Sequence, residues 1–199
     1  MKLALITHPN SFRFEEKIVQ SLFENGLELL HIRKPEWEPA KIAELVRQIP
    51  VQFRERVTLH SHYFLANDLG VGGIHITNTA KGKRYEERYK HLRVSVSTHS
   101  VEEAIGLSSA YEYAFISPVF SSISKNGYNS AFADNQLAEA NKYSKVPLFA
   151  LGGVDIATAP NAKGMNFKGI AVLGALWNRE PQNIVSHFIN LKQIADDLL

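Results

Sequence analysis

The histidines of this sequence lie mostly at the ends of short apolar runs. The chain has eight histidines. Six of them fall in or directly after such runs: His8, His31, His60, His62, His75 and His99. Imidazole transfers protons near neutral pH, although a single buried histidine is more commonly bonded to neighbouring polar groups. Because chance would scatter histidines along the chain, their concentration predicts a ligand site. His31 and His99 are candidate catalytic groups there, and His60 and His62 are candidate substrate-binding groups.

Two glycine turns predict an anion site near the end of the chain. Gly152 and Gly153 follow one apolar run and precede a helix, and Gly174 holds the matching place after the next run. A backbone without side chains lets N–H groups approach a phosphate closely. The alternative is that these glycines only permit tight turns. Their occurrence at two matching positions favours phosphate binding.

Cationic side chains supply the second part of such a site. Arg33 ends an apolar run, and its planar guanidinium can hold a phosphate or a diphosphate through two hydrogen bonds. Lys125 lies in a polar segment, residues 121–133, and would add a mobile point charge. We expect Lys34 to be a solvated surface residue.

The elements that must position these groups alternate regularly. Eight predicted strands cover residues 2–7, 27–33, 57–61, 73–77, 92–97, 113–119, 147–151 and 169–173, with helical segments between them. This alternation predicts an α/β protein with a parallel sheet. Eight units favour closure into a (β/α)8 TIM barrel of one compact domain over residues 1–199, with an open doubly wound sheet as the alternative. In a barrel, ligands bind at the C-terminal strand ends, and the loops after strands seven and eight commonly hold phosphate.

Composition removes several classes of function. The chain has no cysteine and a formal net charge of +2. Thiolate metal sites and cysteine nucleophiles are therefore excluded, and no nucleic-acid partner is expected. No signal peptide and no membrane-spanning run is predicted, so a cytoplasmic location is expected.

A metal site is not predicted either. His60 and His62 project from the same side of an extended strand, which would supply half of a zinc ligand set. His31 or His75 would have to complete the set, and no carboxylate accompanies them.

The same strand ends carry a resemblance to a known family. The segments that carry it, in chain order, are 30–34 (LHIRK), 73–76 (GIHI), 96–104 (VSTHSVEEA), 113–120 (YAFISPVF) with Lys125, 150–154 (ALGGV) and 169–172 (GIAV). In order and spacing they resemble thiamine phosphate synthase and its relative TenI, the thiazole tautomerase. The resemblance extends over nearly the whole chain.

The resemblance implies a reaction and a set of roles. The synthase joins a hydroxymethylpyrimidine diphosphate to a thiazole phosphate and releases diphosphate. By resemblance, Arg33 and Lys125 contact the diphosphate, and Gly153 and Gly174 hold the thiazole phosphate. The hydroxyl groups that would line the site are those of Ser97, Ser122 and Ser124. The partners implied are a phosphorylated thiazole and a pyrimidine diphosphate; a homo-oligomer is compatible with the sequence.

This sequence departs from both family patterns at informative positions. The synthase pattern ends strand three with Asn-Asp, where this chain has His60-Ser61, and Ala80 stands where a second aspartate is usual. Both Mg²⁺ carboxylates are therefore missing, so Mg²⁺ is implied by the family but lacks its usual ligands. The TenI pattern has a catalytic histidine where this chain has Pro118. The open readings are a synthase-class transferase, a TenI-like isomerase, a non-catalytic thiazole phosphate-binding protein, and a barrel enzyme of another pathway.

Overall fold

The expected barrel is confirmed. A computed structural model describes residues 1–77, 89–121 and 132–197. Eight parallel strands pair in chain order and close through β1 and β8. They are β1 (Lys2–Ile6), β2 (Leu29–Ile32), β3 (Val57–Leu59), β4 (Gly73–Ile76), β5 (Arg93–Thr98), β6 (Tyr113–Ile116), β7 (Leu148–Leu151) and β8 (Gly169–Val172). The open doubly wound sheet is thereby excluded.

Helices surround the strands. Those in the described ranges are α1 (Glu15–Glu24), α2 (Pro39–Gln48), α3 (Val51–Arg54), α4 (Leu65–Leu69), α5 (Val101–Ile105), α6 (Asp134–Tyr143), α7 (Ala159–Gly164), α8 (Gly174–Trp177) and α9 (Pro181–Asp197). Their apolar faces pack on the outer face of the strands. Residues of α1 such as Leu22 and residues of α9 such as Phe188 belong to this outer core. None of the helices that the structure describes combines the length and the apolarity needed to cross a bilayer.

Strand β6 ends earlier than the sequence predicts. The predicted strand runs to residue 119, but the observed strand stops at Ile116. Ser117 and Pro118 follow, and proline has no N–H group to extend the ladder of hydrogen bonds. The chain after β6 instead turns across the end of β7, where Val119 N–H donates to the carbonyl of Leu151 at 2.9 Å.

The barrel interior is apolar on one side and polar on the other. Side chains alternate along each strand, so every second residue points inward. The inward apolar cluster consists of Ala4, Ile6, Leu29, Tyr113, Phe115, Phe149 and Ala171. The buried polar residues at inward positions of β2–β5, or directly after β3, are His31, Thr58, His60, His75 and Ser95. The aromatic rings of β6 and β7 thus lie opposite a polar half contributed mainly by β2 to β5.

Gly169 makes room for one of those rings. A Cβ atom at this buried position would lie 2.5 Å from the Phe149 ring, so no larger side chain fits without displacement of the ring. By contrast, a Cβ atom at Gly164, the last residue of α7, would meet nothing within 4 Å. At this level of the interior, the Phe149 ring of β7 therefore fills the space that Gly169 of β8 leaves open.

We predict that Gly169→Ala lowers the free energy of unfolding by about 1–3 kcal/mol, because it overpacks the barrel interior. Urea denaturation followed by circular dichroism measures this change. Gly164→Ala is the matched control and should change the stability by less than about 1 kcal/mol. Equal effects of the two substitutions would contradict the packing described for Gly169.

Candidate functional site

Three imidazoles form the centre of the polar interior. His31, His60 and His75 come from β2, from the residue after β3, and from β4. His31 Nδ1 lies 2.9 Å from His60 Nε2. The rings of His60 and His75 stack with centroids 4.2 Å apart, and His31 meets both edge-on. The structure places His31 and His60 side by side, and their predicted roles stay predictions.

Hydroxyl groups hold the outer nitrogens of this cluster. His31 Nε2 lies 2.7 Å from the Tyr113 hydroxyl. His75 Nδ1 and Nε2 lie 2.9 and 2.8 Å from the hydroxyls of Ser95 and Ser97. His60 Nδ1 has no hydrogen-bond partner among the described residues, and 9% of His60 is exposed. The cluster therefore reaches the mouth of the barrel through His60 and through the half-buried Ser97.

Burial keeps these three imidazoles uncharged at neutral pH. It lowers the pKa of His31 and of His60 well below the ordinary value, and the neighbouring imidazoles lower both further. Burial, with a smaller effect of the Arg33 charge, lowers the pKa of His75 to about 3. Burial also raises the pKa of the Tyr113 hydroxyl. The three imidazoles thus offer neutral donors and acceptors rather than charge.

Arg33 stands at the rim of this site. Its side chain is exposed, and the guanidinium has no hydrogen-bond or ion-pair partner within the described ranges. Its charge contributes to the lowered pKa values of His60 and His75, after burial and, for His60, after the neighbouring imidazoles. Arg33 is therefore close to the polar cluster and available to an anionic ligand at the mouth.

The expectation that Lys34 is a solvated surface residue is wrong. Its Nζ is buried and donates to both carboxylate oxygens of Glu15, at 2.7 and 2.6 Å, and to the carbonyl of Asn10 at 2.8 Å. The ammonium also lies 4.6 Å from the centroid of the Trp37 ring. Lys34 therefore joins β2 to α1, and removal of either charge would leave the other buried and unpaired.

The glycine turn after β7 has two functions in the fold. Gly152 and Gly153 have φ angles of 92° and 66°, in the left-handed region. A Cβ atom at Gly153 would lie 2.6 Å from the carbonyl oxygen of Phe120, so the turn also needs glycine to pack against the chain after β6. The N–H groups of Gly152, Gly153 and Val154 donate to no acceptor in the described part of the chain. They remain available to an anion.

The matching turn after β8 leads into α8. This helix begins at Gly174, and no side chain caps its start. Leu173 is half-buried and packs against the interior apolar cluster. The two glycine turns therefore follow adjacent, paired strands of one barrel, at the same end, as the phosphate hypothesis requires.

Other predicted site residues lie apart from the cluster. His62 Nε2 is 3.0 Å from the carbonyl of Trp37, and its ring faces Phe64. His99 is exposed at the end of β5, where Nδ1 lies 3.1 Å from the carbonyl of Ser117. Their predicted roles stay predictions. Three further predicted residues, Ser122, Ser124 and Lys125, lie outside the described residues.

The donor set does not fit Mg²⁺. This ion prefers oxygen ligands, chiefly carboxylates and water. Within the described ranges, the one group of three or more converging metal-ligand side chains is His31, His60 and His75, and it contains no carboxylate. Glu15 is already paired with Lys34, and Asp155 contacts His187 and Arg179.

Sequence reasoning counted His75 among the histidines near strand ends but gave it no catalytic or binding role, and it assigned no role to Ser95 or Tyr113. The segments LLHI of β2 and GIHI of β4 each place a histidine one residue before the strand end. In a barrel whose strands alternate, those two positions point to the same interior. That shared position was the available signal for His75. Tyr113 and Ser95 lack such a signal because they stand near the beginnings of their strands.

Comparisons with known proteins identify the family and support the fold. The family model described as thiamine monophosphate synthase matches residues 3–176. The crystal structure of thiamine phosphate pyrophosphorylase from Bacteroides thetaiotaomicron is 33% identical, covers 98% of each chain and has a TM-score of 0.85. The thiamine phosphate pyrophosphorylase from Pyrococcus furiosus has a TM-score of 0.81 over 100% of this chain and 96% of its own, but at 19% identity it supports the fold alone.

One curated relative is much longer than this chain. The thiamine-phosphate synthase of Synechococcus is 24% identical over 188 residues, which cover 88% of this chain and 52% of the relative. This chain therefore spans about half the length of that protein.

We predict that acid lowers the stability of the protein as these imidazoles become charged. Their pKa values are lower in the folded chain than in the unfolded chain, so the unfolded state takes up protons first as the pH falls below about 6.5. The contribution of the neutral imidazoles to the free energy of unfolding is fully present above that pH. It decreases as the pH falls towards the pKa of each imidazole in the folded chain, which is about 3 for His75. Between pH 7.5 and 5.0, His75 alone should lower the free energy of unfolding by about 2 kcal/mol.

Urea denaturation in the presence of EDTA at the two pH values measures this loss. His75→Gln should reduce the pH dependence, whereas His62→Gln should retain it because that ring lies outside the cluster. A wild-type stability that does not change over this interval would contradict the burial of neutral imidazoles.

Proposed function

Because this chain belongs to the thiamine monophosphate synthase family, we propose that it acts on a phosphorylated thiazole held at the mouth of the barrel. The reaction we propose is that of the synthase class. The carbon–oxygen bond to the diphosphate of a hydroxymethylpyrimidine diphosphate breaks, and the thiazole nitrogen forms a bond to the same carbon. Diphosphate leaves with the electron pair of the broken bond.

The observation that carries this proposal is the set of free N–H groups after β7. Gly152, Gly153 and Val154 lie at the strand end at which barrels commonly bind phosphate, and their N–H groups have no acceptor among the described residues. At the start of α8, after the neighbouring strand, the N–H groups of Gly174 and Ala175 have no acceptor among the described residues, whereas those of Leu176 and Trp177 donate to the Leu173 carbonyl. Together they support a cradle for the thiazole phosphate. Backbone donors of this kind keep their direction without a side-chain rearrangement on binding.

Arg33 supports the second half of the proposal. The leaving diphosphate develops negative charge, and a guanidinium forms two parallel hydrogen bonds with such a group. Arg33 is exposed at the rim and unpartnered within the described ranges, close to His60 and His75. We infer that Arg33, with Lys125, neutralises the diphosphate in place of part of the charge that Mg²⁺ supplies in the family.

A second candidate function rests on the histidine cluster. A TenI-like isomerase moves a proton between two positions of a thiazole carboxylate phosphate, which needs a group able to accept and donate one. His60 offers a nitrogen with no partner among the described residues, and Ser97 offers a hydroxyl linked to His75. Both groups lie near the mouth. A non-catalytic thiazole phosphate-binding protein would use the same cradle without either reaction.

We predict that the purified chain forms thiamine phosphate from the two substrates, and that Arg33→Ala lowers kcat/KM by about 10- to 100-fold, because a charge-assisted contact of about 1.5–3 kcal/mol is lost. Fluorescence detection of the oxidised product after chromatography measures the rate. Arg47→Ala is the matched control, since Arg47 lies in the last turn of α2, away from the strand ends, and it should leave the rate unchanged.

Other outcomes separate the candidates. Conversion between thiazole tautomers without a diphosphate substrate would select the isomerase. Tight binding of thiazole phosphate without turnover would select the binding protein. Failure to bind thiazole phosphate at millimolar concentration would contradict all three.

A further inference from the structure

The proposed reaction leaves the three central imidazoles largely unused. His31, His60 and His75 each offer one ligand nitrogen, and these nitrogens all lie within 4.8 Å of one another. They belong to β2, to the residue directly after β3, and to β4 of a closed barrel. The barrel backbone therefore holds their Cα atoms in place. Three buried imidazoles without a carboxylate are a donor set for a borderline transition ion rather than for Mg²⁺.

We propose that His31, His60 and His75 bind one Zn²⁺ ion in the barrel interior. Zn²⁺ takes imidazole nitrogens at about 2.0–2.1 Å, and sites with three protein ligands keep a fourth position open. Of the three residues, His60 is the most exposed, at 9%. Solvent therefore reaches the cluster past the His60 ring. The site does not depend on the proposed reaction.

The contact between His31 and His60 is close to the required geometry. Their facing nitrogens are 2.9 Å apart, and at present they share one hydrogen. Two imidazole nitrogens on one tetrahedral Zn²⁺ are about 3.3 Å apart, which follows from the bond length and the tetrahedral angle. The two nitrogens therefore need to move apart by roughly 0.4 Å to admit the ion. The hydrogen moves to the other nitrogen of its ring, so both imidazoles stay neutral.

Hydroxyl groups already fix the nitrogens that would not bind the ion. A histidine ligand normally donates its second N–H to a nearby acceptor, which orients the ring. His31 Nε2 meets the Tyr113 hydroxyl at 2.7 Å. His75 has a serine hydroxyl at each nitrogen, so the hydroxyl at the nitrogen that binds the ion must move away while the other contact remains.

One ring must turn for the three lone pairs to converge. The His60 and His75 rings are nearly parallel, at 19°, so their nitrogens do not both point to a single position between them. His60 has the freedom to turn, because it is held at Nε2 alone and its torsion at the ring is broad. Binding of the ion is therefore coupled to a rotation of His60.

Titration of the metal-stripped full chain with Zn²⁺ alone tests this proposal. Calorimetry should detect one saturable ion per chain. Co²⁺ as a substitute should give the intense visible bands of a four-coordinate ion. X-ray absorption at the zinc edge should find three imidazole ligands in the wild-type protein, which keeps the test decisive even if a variant fails to fold. Absence of saturable binding, or a six-coordinate Co²⁺ spectrum, would overturn the proposal.

Variants assign the ion to this cluster. His60→Asn and His75→Asn should each weaken Zn²⁺ binding by about tenfold or more, and Tyr113→Phe by about tenfold through the lost orientation of His31. His62→Asn is the matched control: it removes a neighbouring imidazole that contacts Trp37 instead, and it should leave the affinity unchanged. Loss of binding in His62→Asn alone would place the ion elsewhere and overturn the assignment.

Discussion

The hydrogen-bonded imidazoles inside the barrel are the interaction on which the other features of the site depend. A closed ring of eight strands places every second side chain in a small, dry interior. Burial of a polar group there costs free energy unless the group is paired. His31, His60 and His75 meet this condition through one another and through the hydroxyls of Tyr113, Ser95 and Ser97. The three imidazoles are therefore ordered without carrying a charge.

Because the three imidazoles are neutral, they supply no positive charge to a ligand at the mouth. Anionic parts of a ligand must find their positive partners at the rim, where Arg33 and the N–H groups after β7 are available. The interior itself can accept or donate hydrogen bonds, and its imidazoles are suited to a transition ion. Carboxylates, which would bind Mg²⁺, are absent from the converging group within the described ranges. The family's fold thus surrounds an interior whose converging ligand side chains, within the described ranges, are imidazoles.

The fold was predictable because its signals are local and repeated. Eight apolar runs separated by amphipathic helices determine a parallel arrangement, and short connections bring successive strands together. The placement of Gly152 and Gly153 at a strand end was predictable for the same reason. Their contact with Phe120 was not, since it depends on how the chain after β6 crosses the next strand end.

The site was predictable only in part, because burial of a polar group depends on distant partners. Arg33 and Lys34 are neighbours in the chain, yet Lys34 is the buried one, since Glu15 lies beneath it on α1. Nothing near Lys34 in the sequence indicates that pairing. Likewise, His31 was assigned from its strand end, whereas Tyr113, its partner across the interior, lies 82 residues further along the chain.

The protonation state of the buried histidines is the most direct test. Imidazole ¹⁵N shifts, measured by NMR on the metal-free protein between pH 8 and pH 5, report both charge and tautomer. Three of the eight histidines should remain neutral throughout, each with one protonated nitrogen, and substitution should assign them to His31, His60 and His75. Titration of these three near the ordinary value of about 6.5 would contradict a neutral, hydrogen-bonded barrel interior.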